Sequence, residues 1–403
     1  MLEAQSGGYP EVRVDGVASD DYGDGLILMM PTIRRGLLRA MLTLGFLAAG
    51  WQLPVRAITP AEADLAFAAL NQVYWNPDAR FFRKEENGSK WADFWLEAQL
   101  WDTVMDQFDR THSDAVKRQI GEVYDGFIEQ HPDWTRNKYN DDIMWWAIAC
   151  TRAYQITQDD RYLIQAQASF DFVLREFGDD TFGGGVWWTS DRTSKNSCIV
   201  SPAVIAAVRL AEALNNPAYL ATARRLYDWQ RRTLTDGTGK VFDSIRADAG
   251  THTNRTDKAG PADGSIAKFS LTYNQGTYIG ASVLLHRMTG ESMYLAEAKK
   301  TADWTRAHLC TGPDRILQNE NQGDGGAFKG IFVRYMKLLV RDGGATEFVP
   351  WMQANAETAW RHRRAADNIM GYDWSVPAGR GIQSQSASSA VSLLLCFADE
   401  RQQ

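Results

Sequence analysis

The chain has 403 residues, 44% of them hydrophobic, and carries a formal net charge of −7. That length can bury a large core, but a nucleic-acid-binding protein would need a basic stripe to neutralise phosphates. We therefore expect no nucleic-acid partner. The six histidines show no metal-ligand spacing and the four cysteines form no CxxC pair, so we expect neither a metal nor a cofactor.

Residues 29–57 have the anatomy of a secretory signal peptide. Arg34 and Arg35 form a charged start, residues 40–50 form a short apolar run, and residues 55–57 fit small-x-small cleavage. The arginine pair loosely resembles a twin-arginine signal. The apolar run is too short to span a bilayer, so we predict a periplasmic or extracellular protein without stable membrane insertion.

This signal divides the chain into three parts. We predict that residues 1–28 are a non-native or misassigned extension, that 29–57 are the signal peptide, and that 58–403 form a single catalytic domain. The alternative is that residues 37–50 are a buried helix of the fold.

Amphipathic helices are predicted from Thr59 onward, because apolar residues recur at three- and four-residue intervals. The first three cover residues 61–73, 91–108 and 114–130. Three helical hairpins follow, each with a Tyr-Leu-x-x-Ala segment after its turn; these segments begin at Tyr162, Tyr219 and Tyr294. The first helices of the hairpins are predicted over 143–156, 203–214 and 280–288.

A helical hairpin cannot bury its apolar face alone, so repeated hairpins must stack. Long connections rich in Gly and Trp separate the hairpins, over 178–196, 233–275 and 310–329, and connecting loops commonly carry function. We predict an all-α fold, a closed (α/α)6 barrel or toroid of about twelve helices, with these loops gathered at one end. An open α-solenoid adaptor is the alternative, and it would not usually need such loops.

Two adjacent acids, Asp141 and Asp142, open a predicted helix just after Tyr139 and Asn140. One interpretation is that they cap the helix and complement its dipole. The other is catalysis, because carboxyls about 5–6 Å apart match the separation in retaining glycosidases, where one acid is the nucleophile and the other the acid/base.

Other polar and aromatic residues stand in or beside the long connections. They are Trp187, Trp188, Lys195, Asn196, Asp243, Tyr273, Asn274 and Gln275. Flat aromatic faces stack on sugar rings, although core filling is the plainer interpretation of the tryptophans. Residues 273–276 stand directly before a predicted helix and also fit an ordinary helix start. Two cations in an apolar context, Lys329 and Arg334, are expected to have an acidic partner in the core.

Six segments in order resemble glycoside hydrolase family 76, the endo-α-1,6-mannanases and their fungal wall-remodelling relatives. The segments are YNDDIMWWAIACTRAYQIT (139–157), FGGGVWW (182–188), Lys195-Asn196, VFDSI (241–245), LTYNQGTYIGASVLL (271–285) and FKGIFVRY (328–335). The resemblance extends over about residues 60–395. It implies the (α/α)6 barrel, a retaining mechanism without a metal, Asp141 as the nucleophile and Asp142 as the general acid/base.

We therefore predict a monomeric exported hydrolase that cleaves α-1,6-linked mannan or mannooligosaccharides. The expected substrate-binding residues are Tyr139, Asn140, Trp187, Trp188, Lys195, Asn196, Asp243, Tyr273, Asn274 and Gln275. A cell-wall mannan transglycosidase and a non-catalytic glycan-binding toroid remain as alternatives. Two departures from the family pattern, His286 and residues 198–202, are expected to lie away from the acid pair, and they leave the exact glycan open.

Overall fold

Twelve α-helices follow one another through residues 56–246 and 264–398, the parts of the chain that the computed structural model describes. They are α1 Pro60–Tyr74, α2 Phe94–Thr111, α3 Asp114–Gln130, α4 Asn140–Thr157, α5 Asp160–Phe177, α6 Ser197–Leu214, α7 Pro217–Thr233, α8 Thr272–Thr289, α9 Ser292–His308, α10 Gly325–Arg341, α11 Val349–Arg361 and α12 Ser384–Phe397. The expectations for the N-terminal extension and nearly all of the signal peptide lie outside the described residues.

The even-numbered helices form a closed inner ring. α2 packs on α4, α4 on α6, and so on through α8, α10 and α12, which packs back on α2. Each odd-numbered helix lies outside the ring against an inner neighbour. This arrangement confirms the predicted (α/α)6 barrel, and ring closure excludes the open solenoid.

Burial differs between inner and outer helices. The inner helix α8 is buried without a break over residues 272–285, whereas the outer helix α3 buries one face through residues such as Val116, Ile120 and Phe127. A helix with one wet face shows an apolar stripe, and a helix buried all round does not. The sequence therefore predicted α3 with its observed bounds but placed the starts of α6 and α8 too late, at 203 and 280.

The early start of α8 corrects one prediction. Residues 273–276 lie inside the first turns of this helix and not before it.

Among the described residues, α6 alone is long and apolar enough to cross a membrane, but 78% of it is buried inside the protein. Its position in the inner ring accounts for its hydropathy.

All six inner helices run in the same direction, because an outer helix returns the chain between successive inner ones. Contacts among the first turns of α2, α8 and α10 agree with this common direction. The indole of Trp95 on α2 donates a hydrogen bond to Asp324, just before α10 (3.2 Å). The ring of Tyr273 on α8 stacks on Phe328 of α10 with centroids 4.0 Å apart. The N-terminal ends of these helices therefore surround one mouth.

In the part of the chain that the structure describes, seven short strands lie in the connections: β1 Trp75–Asn76, β2 Phe81–Phe82, β3 Ser194–Asn196, β4 Ser244–Arg246, β5 Ser265–Ala267, β6 Cys310–Thr311 and β7 Ile316–Leu317. β3, β4 and β5 form an antiparallel sheet in that order. In its register, Lys195 pairs with Ile245, which pairs with Ile266. The sheet was not predicted. It ties together two of the three long connections, both of which lead into first turns at the mouth.

A buried ion network joins the inner helices away from the mouth. Asp106 of α2 pairs with Arg152 of α4 (2.8 Å) and with Arg334 of α10 (2.7 Å). Burial alone would raise the pKa of Asp106, but the two cations together lower it to about 2. The predicted acidic partner of Arg334 is thereby confirmed.

The second cation expected to have an acidic partner, Lys329, is buried without an ion pair in the described residues. Its ammonium donates to the carbonyl oxygen of Tyr372 (2.5 Å) and lies 4.2 Å from the centre of the Trp374 ring. The negative charge of Glu320 also acts on it electrostatically.

Candidate active site

The acid pair lies in the first turn of α4, and capping does not account for it. The residue before the helix, Tyr139, makes no side-chain cap. Asp141 has its Oδ1 buried without a hydrogen-bond partner, while Asp142 accepts a hydrogen bond from the side chain of Asn137 (3.0 Å). An unpaired buried carboxylate oxygen is costly, so this atom is placed to meet a ligand.

Burial raises the pKa of both carboxyls. It brings the pKa of Asp141 to about 7, and together with the charge of Asp141 it raises the pKa of Asp142 well above its usual range. Two such close carboxyls titrate as a pair and share a proton. The thiol of Cys198, the indole of Trp188 and the backbone of Asp141 oppose the rise at Asp141. One donor, the Asn137 side chain, opposes the rise at Asp142, so ionisation is favoured more at Asp141 than at Asp142.

The position of Cys198 corrects a further prediction. Residues 198–202 were expected to lie away from the acid pair, but the thiol of Cys198 at the start of α6 lies against Asp141. Tyr273 of α8 contacts the same thiol. The other departure, His286, lies in the last turn of α8, at the far end from the mouth, as expected.

Tyr139 and Trp188 form an aromatic pair beside the acids, with ring centroids 5.4 Å apart. Tyr139 is exposed and Trp188 is half-buried, so both rings retain open surface on which a sugar ring can stack.

Asn196, at the N-cap of α6, accepts a hydrogen bond from the hydroxyl of Ser194 (2.6 Å). That bond stiffens the end of β3 beside the mouth.

Asp243 and Asn274 lie on the same side of the mouth as Cys198. The amide nitrogen of Asn274 is 3.4 Å from Oδ1 of Asp243, and the charge of Asp243 acts on the Cys198 thiol. Burial raises the pKa of Asp243. Oδ1 of Asn274 is buried without a partner, so this pair also presents unfilled hydrogen-bonding capacity.

Two predicted substrate-binding side chains, Lys195 and Trp187, hold the long loop before α6. The buried Lys195 ammonium contacts the Oδ1 and carbonyl oxygens of Asp179 and the carbonyl oxygens of Thr181 and Gly184, all within 2.9 Å. The indole of Trp187 donates to the other oxygen of Asp179 (2.6 Å). These contacts give both residues a structural role without a substrate.

Gln275 and Asn140 likewise bind backbone. Gln275 accepts from the N–H of Val241 (2.8 Å) and donates to the carbonyl oxygen of Gly239 (3.1 Å). Asn140 donates to the carbonyl oxygen of Trp187 (2.8 Å). Both amides fix the loops that form the mouth, and Oδ1 of Asn140 remains buried without a partner.

Sequence reasoning missed one acidic residue at the mouth, Asp324. Its negative charge raises the pKa of both Asp141 and Asp142, which shows that it lies within electrostatic reach of the pair. The available signal was the run Gly-Asp-Gly-Gly directly before a helix (323–326). Glycines on both sides of an acid indicate a tight turn that presents it.

Two surface cavities, each of about 590 Å³, lie elsewhere. One is lined by residues that include Asp171, Tyr219 and Arg225, and the other by residues that include Glu86 and Arg364. Neither is lined by the acid pair.

A closed helical ring with a proton-sharing carboxylate pair at its mouth is the arrangement of a glycosidase that uses two acids. The chain belongs to glycosyl hydrolase family 76, which it matches over residues 59–400.

The structure is similar to that of the α-1,6-mannanase GH76A of Salegentibacter sp. HEL1_6. The TM-score is 0.76 at 30% identity, covering 84% of this chain and 98% of that one. An inactive variant of that enzyme, with two consecutive aspartates replaced by alanine, has been solved in complex with α-1,6-mannotetrose.

Two curated relatives are mannan endo-1,6-α-mannosidases named DCW1, from Candida glabrata and Saccharomyces cerevisiae. Each is 25% identical to this chain, over 64% and 66% of it. The chain spans 59% and 62% of the lengths of these two relatives, which is about three fifths.

Proposed function

We propose that this protein is a retaining endo-hydrolase of α-1,6-linked mannan. The observation that carries the proposal is the buried pair Asp141 and Asp142, whose environments favour an ionised nucleophile beside a protonated acid. The mannooligosaccharide complex of the similar mannanase supports the same choice of substrate.

In the first step, the Asp141 carboxylate attacks the anomeric carbon and the glycosidic C–O bond breaks. Asp142 gives its proton to the leaving oxygen, so a mannosyl ester on Asp141 and a free sugar hydroxyl result. In the second step, Asp142 takes a proton from water, and the resulting oxygen nucleophile attacks the anomeric carbon. The bond to Asp141 then breaks and the configuration is retained.

The test uses linear α-1,6-mannan with products resolved by size. We expect shorter oligosaccharides from the wild type, and turnover lower by a factor of about 10³ or more for Asp141→Asn and for Asp142→Asn. Asp93→Asn is the matched control: it removes an exposed aspartate paired with Lys84 (2.7 Å) near the mouth, and it should retain activity.

A substrate with a good leaving group separates the two roles. A dinitrophenyl α-1,6-mannobioside needs no proton on departure, so Asp142→Asn should still release dinitrophenol in a burst while Asp141→Asn should not. Near-wild-type mannan cleavage by either variant would contradict the assignment. Products longer than the substrate would indicate transfer to a sugar acceptor, and mannan binding without products would indicate a non-catalytic toroid.

We also propose that the chain is exported as a monomer and cleaved after Ala57. The fully buried Ile58 follows at once, and Thr59 forms a capping box with Glu62 at the start of α1, so the folded domain begins where the signal ends. One chain supplies the whole mouth. N-terminal sequencing of the protein from the medium or periplasm should begin near Ile58; a sequence beginning near Met1 would rule out the cleavage.

A further inference from the structure

Asp324 faces the acid pair from the opposite side of the mouth. In the ring order α2, α4, α6, α8, α10, α12, the helix α10 lies three steps from α4 in either direction. Asp324 directly precedes α10, while Asp141 and Asp142 begin α4. Its charge nevertheless acts on both acids. The ring of Trp95, which donates to Asp324, lies 6.0 Å from the ring of Trp145 on α4, so Asp324 and the acid pair border the same mouth.

Asp324 does not serve its own helix. It makes no side-chain cap on α10, although capping is the ordinary role of an aspartate at this position. Its Oδ1 accepts a hydrogen bond from the indole N–H of Trp95 on α2 (3.2 Å). Its Oδ2 has no hydrogen bond from the described residues, and the residue is exposed to solvent. The carboxylate is thus fixed by one oxygen and open at the other.

The turn that presents Asp324 is built from glycines that other residues cannot replace without strain. Gly323 has a positive φ of 66°. A Cβ on Gly325 would lie 1.8 Å from the carbonyl oxygen of Glu320, and a Cβ on Gly326 would lie 2.3 Å from the hydroxyl of Ser386. Close packing on both sides therefore fixes the direction in which the chain enters α10.

Unpaired polar atoms on the other side of the mouth point to a ligand between the two sides. Oδ1 of Asp141, Oδ1 of Asn140 and Oδ1 of the fully buried Asn274 have no hydrogen-bond partner. Buried polar groups are normally paired. A polyhydroxylated ligand supplies both donors and acceptors for them.

We propose that Asp324, oriented by Trp95, binds hydroxyl groups of the mannosyl unit held against Asp141 and Asp142. This inference rests on the proposed function. A carboxylate accepts two O–H hydrogen bonds, and such charge-assisted bonds are stronger than neutral ones. Trp95 occupies one lone pair, which leaves the remaining ones for adjacent hydroxyls of a sugar.

The charge of Asp324 also supports the proton on the pair. Asp324 faces Asp141 and Asp142 from across the ring, and Asp93 and Lys84 act on it from beside α2. These last two are ion-paired to each other and exposed; they act on Asp324 in opposite directions, and the charge of Asp93 also raises the pKa of Asp142. The surrounding protein raises the pKa of Asp324 itself, as expected at the mouth of a concave site.

The experiment compares Asp324→Asn with the wild type in two measurements. Calorimetry with α-1,6-mannotriose, in a background carrying Asp141→Asn and Asp142→Asn, should show affinity lower by about tenfold or more, because a hydrogen bond to a charged group is lost. In the active enzyme, the high-pH limb of kcat/KM should move to lower pH. The sign follows because removing a negative charge lowers the pKa of Asp142, which then loses its proton earlier.

Two further variants separate binding from folding and from simple charge. Trp95→Phe keeps an aromatic ring but removes the N–H that holds Asp324. It should weaken mannotriose binding, and it should shift the high-pH limb of kcat/KM less than Asp324→Asn does. Asp93→Asn removes a nearby charge that acts on Asp142 but is ion-paired with Lys84, and it should leave mannotriose affinity unchanged.

The outcomes are distinguishable. If the wild type cleaves mannan but Asp324→Asn keeps both wild-type affinity and pH profile, this inference is overturned and the proposed function stands. If Asp324→Asn does not fold, unchanged mannotriose affinity in the folded Trp95→Phe variant overturns it. If the wild type does not cleave α-1,6-mannan, both this inference and the proposed function fail.

Discussion

The thiol of Cys198 lies between two helices at the mouth, against Asp141 on one side and Tyr273 on the other. Its contact lowers the pKa of Asp141 relative to what burial alone would give. In Cys198→Ala we therefore expect that pKa to rise, so the low-pH limb of kcat/KM moves to higher pH. At acidic pH, kcat/KM should be lower by roughly two- to tenfold, the worth of one hydrogen bond.

The matched control is Cys150→Ala, since Cys150 is also a fully buried thiol but lies farther along α4, away from the acid pair. It should change stability without moving the pH profile. An unchanged low-pH limb in Cys198→Ala, with the control behaving as expected, would show that the thiol only fills space.

Adjacent acids at a helix start were visible in the sequence, which is why Asp141 and Asp142 were predicted. The residues that shift the pKa of these two acids were not predicted. Asp324 is a single acid nearly two hundred positions away, and Cys198 resembles any apolar core residue. Their roles depend on the ring order of helices, which no local pattern contains. The polarity of Lys195 and the aromaticity of Trp187 indicated a sugar site, and the structure shows in addition that both side chains bind loop atoms.

At the scale of helices, close packing between α8 and α10 depends on glycine. A Cβ on Gly276 would approach the backbone Cα of Phe332 to 2.5 Å. Alanine is usually better than glycine in a helix by up to about 1 kcal/mol, but overpacking costs typically 1–3 kcal/mol. We expect Gly276→Ala to lower the free energy of unfolding, measured by urea denaturation.

Gly121→Ala on the outer helix α3 gives the opposite expectation. There a Cβ would meet side-chain atoms only at 3.5 Å, from Arg161, and at 3.9 Å, from Tyr162. This substitution should stabilise the protein by roughly 0.5–1 kcal/mol. Equal responses at the two positions would contradict the difference in packing between inner and outer helices.

The difference in burial between outer and inner helices also decided which helices could be predicted well from the sequence. The outer helix α3 has a regular apolar face, and its predicted and observed bounds agree. The first turns of α6 and α8 carry polar residues that face the mouth, such as Ser197 and Asn274, and this polarity resembles a loop. The short strands were missed because two- and three-residue pairings leave no periodic pattern.

At the scale of the whole molecule, Asp106 links three inner helices through Arg152 and Arg334. Its pKa is lowered to about 2 in the folded protein, so its contribution to stability is present above the ordinary pKa near 3.8 and is lost as pH falls through about 2. We expect Asp106→Asn to cost about 3–5 kcal/mol near neutral pH, because the buried Arg334 loses its acidic partner and Arg152 keeps only Asp102 and Asp109.

Urea unfolding of wild type and Asp106→Asn between pH 7 and 2 checks this expectation. The difference in the free energy of unfolding should be constant above about pH 4 and should shrink below it. Asp303→Asn is the control, since its pair with Arg306 (2.7 Å) is exposed and should contribute at most about 1 kcal/mol. A difference that persists undiminished at pH 2 would contradict the lowered pKa.

Ring closure joins the beginning of the domain to its end. The hydroxyl of Tyr74 donates to the carbonyl oxygen of Ile382 (2.7 Å), and Thr103 on α2 bonds Ser392 on α12 (3.0 Å). During synthesis on the ribosome, a nascent chain therefore cannot close the barrel until α12 has emerged. Until then, the apolar inner faces of the earlier helices lack their last neighbour and are open to aggregation. Catalytic competence therefore arrives only when translation of the domain is complete.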